Sequence, residues 1–345
     1  MQIGNRLLGP DYPCFIVAEI GHNHQGSLER CVEMIRTAAN CGVDAVKLQK
    51  RHNPSFYTKS FLESRYDSPH AFGRTYGEHR DALELTDHEF VVAKEFAEKN
   101  GVEFLCTAFD IKTADFLYEV GISAFKIASA DLVNTPLLRH VATMARPILL
   151  STGGASLQDV LRAYAECSPR LNDIGILQCT AAYPTLAKDL CLNVIKTYSS
   201  AFPQAVVGLS SHHEGIAMEL VAFGLGARIV EKHFTLDRSW KGTDHCFSLL
   251  PDELRTLVQQ LREGHTALGS GDKVPLTSEA GLLYKEGKKL VAARFIHRGA
   301  ILGRDDIAAK APNDGLPPYL IDSFIGRAAL EDISVDQPLS WDIVS

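Results

Sequence analysis

The eight cysteines of this chain include no CxxC pair, and nowhere do about eighteen apolar residues run together. Without a paired-cysteine motif, Cys14, Cys31, Cys41, Cys106, Cys167, Cys179, Cys191 and Cys246 read as reduced thiols, several of them inside strand or helix patterns where free cysteine acts as a small hydrophobe. Without a long apolar run, a membrane-spanning helix is excluded. The first residues, MQIGNRLLGPDYP, lack a charged start followed by an apolar core, so no secretory signal is read there and a soluble, cytoplasmic protein is expected. Positive charge is also short. A formal net charge of −7 argues against a general nucleic-acid binder, although a few local cations still suffice for a small anion, so the expected partners are metabolites.

What is present is ample apolar material in a repeating pattern. With 345 residues and 46% hydrophobic content, the chain can build a barrel and a small appendage. Short apolar runs read as strands at Phe15 to Glu19, Ala45 to Gln49, Glu103 to Thr107, Ala124 to Ile127, Pro147 to Ser151, Ile174 to Cys179, Ala205 to Leu209 and Arg228 to Val230. Helical patterns separate them. One carries Leu28, Cys31, Met34, Ile35 and Ala38 and stops at Gly42; another opens on the capping-box pair Thr86 and Glu89; a third spans Glu214 to Leu225; the last runs from Pro251 to Leu268. Eight β/α units argue for a closed parallel (β/α)8 TIM barrel over an open sheet. A long polar insertion, Lys50 to Leu85, interrupts the second unit and reads as a functional or mobile loop. After GSGDKVPLTSEAG the pattern changes to short apolar pieces broken by Gly, Pro and Asp, as in a small separate domain.

In a barrel of this kind the chemistry sits at the carboxyl ends of the strands. The residues there form a polar ring: Glu19, Lys47, Gln49, Thr107, Lys126, Ser129, Asp131, Ser151, Cys179, Thr180, Tyr183, Ser210, His212, Glu231 and His233. His212 and His233 follow neighbouring strands, and two neutral imidazoles beside Glu231 suit a divalent transition ion with coordination positions left open. Their alternative role is loop hydrogen bonding. Lys47 and Lys126 among hydroxyls suit a phosphate or carboxylate, or else form internal salt bridges with Glu19, Asp131 or Glu231. A strand-end lysine is also a candidate for Schiff-base chemistry.

The stretches FIVAEIGHNHQG, VDAVKLQK, AFKIAS, ILLSTG, LQCTAAYP, GLSSHHEG, EKHFTLD and GTDHCFSLLPDEL carry a resemblance over nearly the whole chain. In their order and spacing the chain resembles the sialic acid synthase (N-acetylneuraminate synthase) family. That resemblance implies a TIM-barrel catalytic domain over residues 1–270, a linker over 271–286 and an antifreeze-like (SAF) domain over 287–345. It further implies a domain-swapped homodimer in which the small domain caps the partner's site. The implied reaction joins phosphoenolpyruvate to an amino-sugar acceptor, an open-chain N-acylated hexosamine, giving a nonulosonic acid and inorganic phosphate with Mn2+ or another divalent ion such as Co2+ or Mg2+.

Matched motif by motif, His212 and His233 correspond to the family's metal ligands. Lys47, Thr107, Lys126, Ser129, Ser151 and Ser210 correspond to the groups that hold phosphoenolpyruvate. Glu19 and Glu231 correspond to the acids near the reacting carbons, while Gln49, Tyr183 and Asp244 face the sugar. Asp131 stands where many bacterial members carry glutamate and is assigned proton transfer at the sugar carbonyl. The chain departs from the pattern at Ser211 and His213, and at Ala311, where an arginine reaches the partner's sugar site. TYGEHR and WKGTDH look more like the animal enzymes, which use a 6-phosphorylated hexosamine, with Arg65, Arg74 and Arg80 as candidate phosphate contacts. The alternatives are a synthase of a related sugar acid (legionaminic, pseudaminic or deaminated), another phosphoenolpyruvate or Schiff-base aldolase, and a carbohydrate-binding protein with an inactive barrel.

Overall fold

The computed structural model describes residues 1–171 and 173–345, which divide into two compact units, Met1–Gly269 and Ser270–Ser345. The first unit is a closed barrel of eight parallel strands: β1 Phe15–Gly21, β2 Ala45–Lys50, β3 Glu103–Ala108, β4 Ala124–Ile127, β5 Ile148–Ser151, β6 Ile174–Cys179, β7 Val206–Ser211 and β8 Ile229–His233. β8 closes the ring on β1, pairing His233 with Glu19 in register.

Side chains alternate across a strand, so each strand sends every second residue into the barrel. The lower inward layer is apolar: Phe15, Val17, Ala45, Leu105, Ala124, Leu149, Leu177, Val206 and Ile229 form one buried cluster. A short amino-terminal hairpin, Gln2–Ile3 with Arg6–Leu7, adds Ile3 and Leu8 to it. The outward residues, among them Ile16, Val46, Phe104, Phe125, Leu150, Ile176, Val207 and Val230, pack with the helices in the main core. Advancing two residues along seven of the strands from the apolar layer reaches Glu19, Lys47, Thr107, Lys126, Ser151, Cys179 and Glu231, and on the seventh strand Ser210 stands four residues past Val206, beyond Gly208. The barrel therefore changes from oil to charge within one pleat.

The seventh and eighth strands run further than their apolar stretches suggest, taking in Ser210, Ser211, Glu231, Lys232 and His233. Ladder hydrogen bonds are indifferent to side-chain polarity, and the inward members of these strands face a cavity. The helix expected from Glu214 begins only at Ala217, because Gly215 has φ +81°, a left-handed conformation outside any α-helix. The Thr86–Glu89 capping box is present and opens the helix Asp87–Lys99; the last barrel helix spans Pro251–Leu268.

The polar insertion is folded. Short helices Asn53–Phe56, Lys59–Leu62 and Tyr76–Asp81 surround an aromatic knot in which Tyr76 meets Tyr57, Phe61 and Tyr66 at ring-centroid distances of 5.1, 4.6 and 5.2 Å. Its aromatics bury one another, which explains structure without helical periodicity. The second unit contains the 3-10 turn Thr277–Glu279 and the helix Ala280–Glu286 inside the stretch read as linker, then β9 Lys289–Ala292 antiparallel to β10 Ile307–Lys310. Its own core gathers Leu290, Ile296, Leu302, Phe324, Ile333 and Val344. Among the described residues no helix is long and apolar enough to cross a membrane.

Candidate active site

A cavity of about 820 Å³ opens at the carboxyl ends of the strands. Its wall includes Glu19, Lys47, Gln49, Thr107, Lys126, Ser129, Ser151, Tyr183, Ser210, His212, Glu231, His233 and Asp244, so one site gathers these sequence-chosen residues. Asp131 is the exception and corrects the expectation. It ends the 3-10 turn Ser129–Asp131, lies outside the cavity wall, and its Oδ1 accepts a 3.0 Å hydrogen bond from Asn134 Nδ2. Burial raises its pKa. The strand-end position was read correctly from the sequence, but the turn directs Ser129 to the cavity and Asp131 to the neighbouring helix start.

At the floor, Lys47 Nζ lies 2.6 Å from Glu19 Oε2 and 3.7 Å from Glu231 Oε1, and donates to Thr107 Oγ1 at 3.0 Å. Lys126 Nζ lies 3.3 Å from the same Glu231 oxygen, to which Ser210 Oγ donates at 2.9 Å. The lysines therefore form the internal ion pairs and also line the cavity. Burial alone works against all these charges. It opposes ionised Glu231, yet Lys126 and Lys47 overcome it and bring the carboxyl down to about 2. It opposes charged Lys47, yet Glu19 and Glu231 overcome it and raise the ammonium's pKa. For Lys126, burial prevails and lowers it. Among the described residues, Glu231 Oε2, Ser151 Oγ and His233 Nδ1 are buried polar atoms without a hydrogen-bond partner. Arg51 Nε and, apart from its ion pair with Lys47, Glu19 Oε2 join them at the same cavity; buried polar groups are seldom left so, and their gathering marks a place for a polar ligand.

The two histidines stand side by side, ring centroids 5.3 Å apart, packed at 5.9 and 5.2 Å against Phe247, with Tyr183 on His212 at 4.0 Å. Burial, then the neighbouring His233, lowers the His212 pKa to about 3, so it is neutral. With Nδ1 3.0 Å from the Thr180 carbonyl, that nitrogen carries the proton and Nε2 offers a lone pair. His233 Nδ1 has only Asp244 Oδ2 nearby, at 3.7 Å. Among the described residues no group of three or more His, Cys, Asp or Glu is arranged to hold a metal. The donor set fits a divalent transition ion taking two imidazoles from the protein and its other ligands from water or substrate. His213 lies outside the cavity wall, its backbone N–H donating to Ser211 Oγ.

Several wall residues escaped the sequence reading. Gln49 Nε2 donates to Glu19 Oε1 at 2.8 Å, and Arg51 Nη2 donates to Gln49 Oε1 at 2.8 Å. Arg51 also stacks on Phe109 at 3.8 Å and lies 3.7 Å from Glu84. His22, His70, His79, Arg80 and Lys241 complete the mouth. Of the three insertion arginines weighed as phosphate contacts, only Arg80 lines this cavity; Arg65 pairs with Asp67, and with Arg74 it lines a separate surface depression. The signal for the missed residues was slight: GHNHQG and WKGTDH stood out as polar loops, with nothing to show that they meet. They meet where Gln25 Nε2 donates to the Lys241 carbonyl oxygen.

Comparison with known proteins agrees with this geometry. Residues 34–273 match the NeuB family and residues 289–344 match the SAF domain. The chain is 38% identical to N-acetylneuraminate-9-phosphate synthase of Homo sapiens over 98% of this chain and 95% of that protein. It is 34% identical to N,N'-diacetyllegionaminic acid synthase of Legionella pneumophila over 98% and 97%. The crystal structure of N-acetylneuraminic acid (sialic acid) synthetase from Leptospira borgpetersenii, in complex with citrate, superposes with a TM-score of 0.70 at 32% identity, covering 82% of this chain and 94% of that one. By sequence over most of its length and by the barrel that holds this site, the chain belongs to the NeuB family and carries a SAF domain that follows the barrel in sequence.

Proposed function

We propose that this protein is a nonulosonic (sialic-type) acid synthase that joins phosphoenolpyruvate to an N-acylated hexosamine, with water, and releases inorganic phosphate. The observation that carries the reading is the inward polar layer: two buried lysines, each against a glutamate, beside buried polar atoms of Ser151, Glu231 and His233 that have no hydrogen-bond partner. The 9-phosphate synthase and legionaminic acid synthase relatives support the same reaction class.

Lys47 and Lys126 hold the phosphate and carboxylate of phosphoenolpyruvate, with Thr107, Ser129, Ser151 and Ser210 fixing its oxygens by directed hydrogen bonds. Gln49, Tyr183 and Asp244 orient the sugar. His212 and His233 would hold a divalent ion, Mn2+ in our reading, which when bound supplies Lewis-acid polarisation of the acceptor carbonyl. The enol carbon attacks the acceptor's carbonyl carbon, the carbonyl π pair moves onto its oxygen, which takes up a proton from solvent to become a hydroxyl, and the adjacent phosphate-bearing carbon is left electrophilic. Water adds there, its proton passing to Glu231 or Glu19. The carbon–oxygen bond then breaks, its electron pair leaves with phosphate beside Lys126 and Lys47, and the hydroxyl proton is lost as the ketone forms.

The same reading includes a domain-swapped homodimer, with the SAF domain over the partner's cavity, and a cytoplasmic location. Eight free cysteines, two of them exposed, suit a reducing compartment. The test is phosphate release from phosphoenolpyruvate with manganese, in the presence of N-acetylmannosamine, its 6-phosphate or no sugar, repeated after chelation. Release that needs both sugar and ion supports the proposal; release without sugar, or none with any acceptor, refutes it.

A further inference from the structure

On the outer face of the barrel a lysine stands in line with apolar neighbours. Lys232 of β8 is in register with Ala18 of β1, which is in register with Val46 of β2, and both of these are core residues; on its other side is Ser211 of β7. The Lys232 ammonium lies 3.0 Å from Glu219 Oε1, on the helix Ala217–Gly224, and the two residues are 1% and 0% exposed. Glu219 Oε2 is left without a hydrogen-bond partner. Such a pair is weak support for stability, because desolvating both charges offsets most of their attraction. Apolar side chains of similar volume would serve the packing as well, so the ammonium has to be accounted for by what else it binds.

It binds the loop that follows β7: Lys232 Nζ also donates to the carbonyl oxygen of His213. His213 comes directly after His212, whose own carbonyl accepts from Thr185 N at 3.1 Å, and two residues before Gly215, whose φ of +81° turns the chain toward the helix that carries Glu219. The His213 ring is not what anchors this loop, since its Nδ1 has no hydrogen-bond partner. Lys232 itself sits between Glu231 and His233. One ammonium therefore ties the backbone just past the first imidazole to the strand that carries the second, and Glu219 fixes that ammonium from the side.

We infer that Lys232, held by Glu219, is a positioning residue: it clamps the loop after His212 to β8 and so sets the separation of His212 and His233, whose ring centroids stand 5.3 Å apart. The inference rests on the reading of these histidines as ligands of a divalent ion and adds what holds them at their spacing. Groups that stand behind a ligand set fix its orientation and tune the affinity of the site.

The test compares the full-length protein with Lys232→Met/Glu219→Leu, which replaces the pair by apolar side chains of similar size, and with Glu219→Gln, which keeps the Lys232 bond to His213. Mn2+ affinity is measured by electron paramagnetic resonance, phosphoenolpyruvate affinity by calorimetry without metal, and stability by urea unfolding. The double variant is expected to unfold at or near the urea midpoint of the parent, since no buried charge is left unpaired. It is expected to bind Mn2+ about tenfold to a hundredfold more weakly, with phosphoenolpyruvate affinity unchanged because Lys47 and Lys126 are untouched. Glu219→Gln is expected to bind Mn2+ as the parent does; a loss there equal to that of the double variant would trace the effect to the missing charge and overturn the clamp. Parental Mn2+ affinity in the double variant overturns it as well. So does a double variant that fails to fold or loses phosphoenolpyruvate affinity in step, which would make the pair a support of the whole barrel. If the unmodified protein binds no Mn2+, the ligand reading fails, and the imidazole ¹⁵N resonances of His212 and His233 in metal-free protein decide the clamp. Resonances that move in the double variant and stay in Glu219→Gln support it, and resonances that do not move overturn it.

Discussion

Lys47 Nζ stands 2.6 Å from Glu19 Oε2, joining two fully buried charges on adjacent barrel strands. Removing one partner strands the other in a low-dielectric interior. Lys47→Met is therefore expected to cost about 3–5 kcal/mol of stability, and the double variant Lys47→Met/Glu19→Gln to recover much of it. Neither should regain turnover, since the phosphoenolpyruvate anchor is gone. Urea unfolding alongside phosphate release separates the two effects; a stable, active single variant would contradict the pairing.

Glu231 gives the fold a definite acid sensitivity. Burial opposes its ionisation, but Lys126 and Lys47 prevail and set its pKa at about 2, below the ordinary 4.5. A depressed carboxylate stabilises the folded state above its unfolded pKa, and that contribution is lost as pH falls from about 4.5 toward 2. Between these values the Glu231→Gln variant should lose less stability than the unmodified protein. Denaturant titrations at pH 5 and pH 3 measure the difference, and parallel losses would show that Glu231 is not the group responsible.

His212 and His233 sit in an aromatic clasp that does not depend on a bound ion. Their alanine variants are expected to keep the far-ultraviolet circular dichroism of the parent, to bind Mn2+ roughly a hundredfold more weakly or worse, and to lose turnover. Electron paramagnetic resonance of free Mn2+ measures the binding directly. Unaltered binding in both variants would remove them as ligands.

Gly208 lies at a tightly packed point of the barrel interior. A Cβ there would stand 2.5 Å from the Ile229 carbonyl oxygen and 2.6 Å from Leu177 Cδ2, and the backbone oxygen cannot yield as a side chain can. Gly208→Ala should destabilise the fold by about 1–3 kcal/mol or more through overpacking. Gly224→Ala, with nothing within 4 Å of the added atom, is the matched control and should be neutral or mildly stabilising. Thermal melts of the pair check this.

The barrel and its polar layer were legible because period-two alternation needs only sequence: Val17 to Glu19, Ala45 to Lys47, Leu105 to Thr107 and Ile229 to Glu231 each step from core to site. Strand ends were harder to read, since Ser211 and Lys232 are polar yet remain in the ladder. Lys232 points outward, where it meets Glu219 at 3.0 Å, a pairing invisible to any local pattern. Asp131 misled because a 3-10 turn reverses the side-chain direction within three residues. Arg51 and Lys241 were hidden for another reason: Arg51 reaches the wall stacked on Phe109, and the loop of Lys241 meets the insertion where Gly242 N donates to His70 Nδ1, both of which depend on distant residues meeting.

The most direct test of the central claim follows the oxygen atoms. Phosphoenolpyruvate labelled with ¹⁸O in the bridge between carbon and phosphorus would be turned over with an N-acylated hexosamine, or its 6-phosphate, and manganese, and both products weighed by mass spectrometry. Phosphate release is expected only when the sugar is present, with the label wholly in phosphate and a solvent oxygen at the keto carbon of a sugar acid three carbons longer. Label retained in the organic product, or phosphate formed at the same rate without sugar, would contradict condensation by carbon–oxygen cleavage in this barrel.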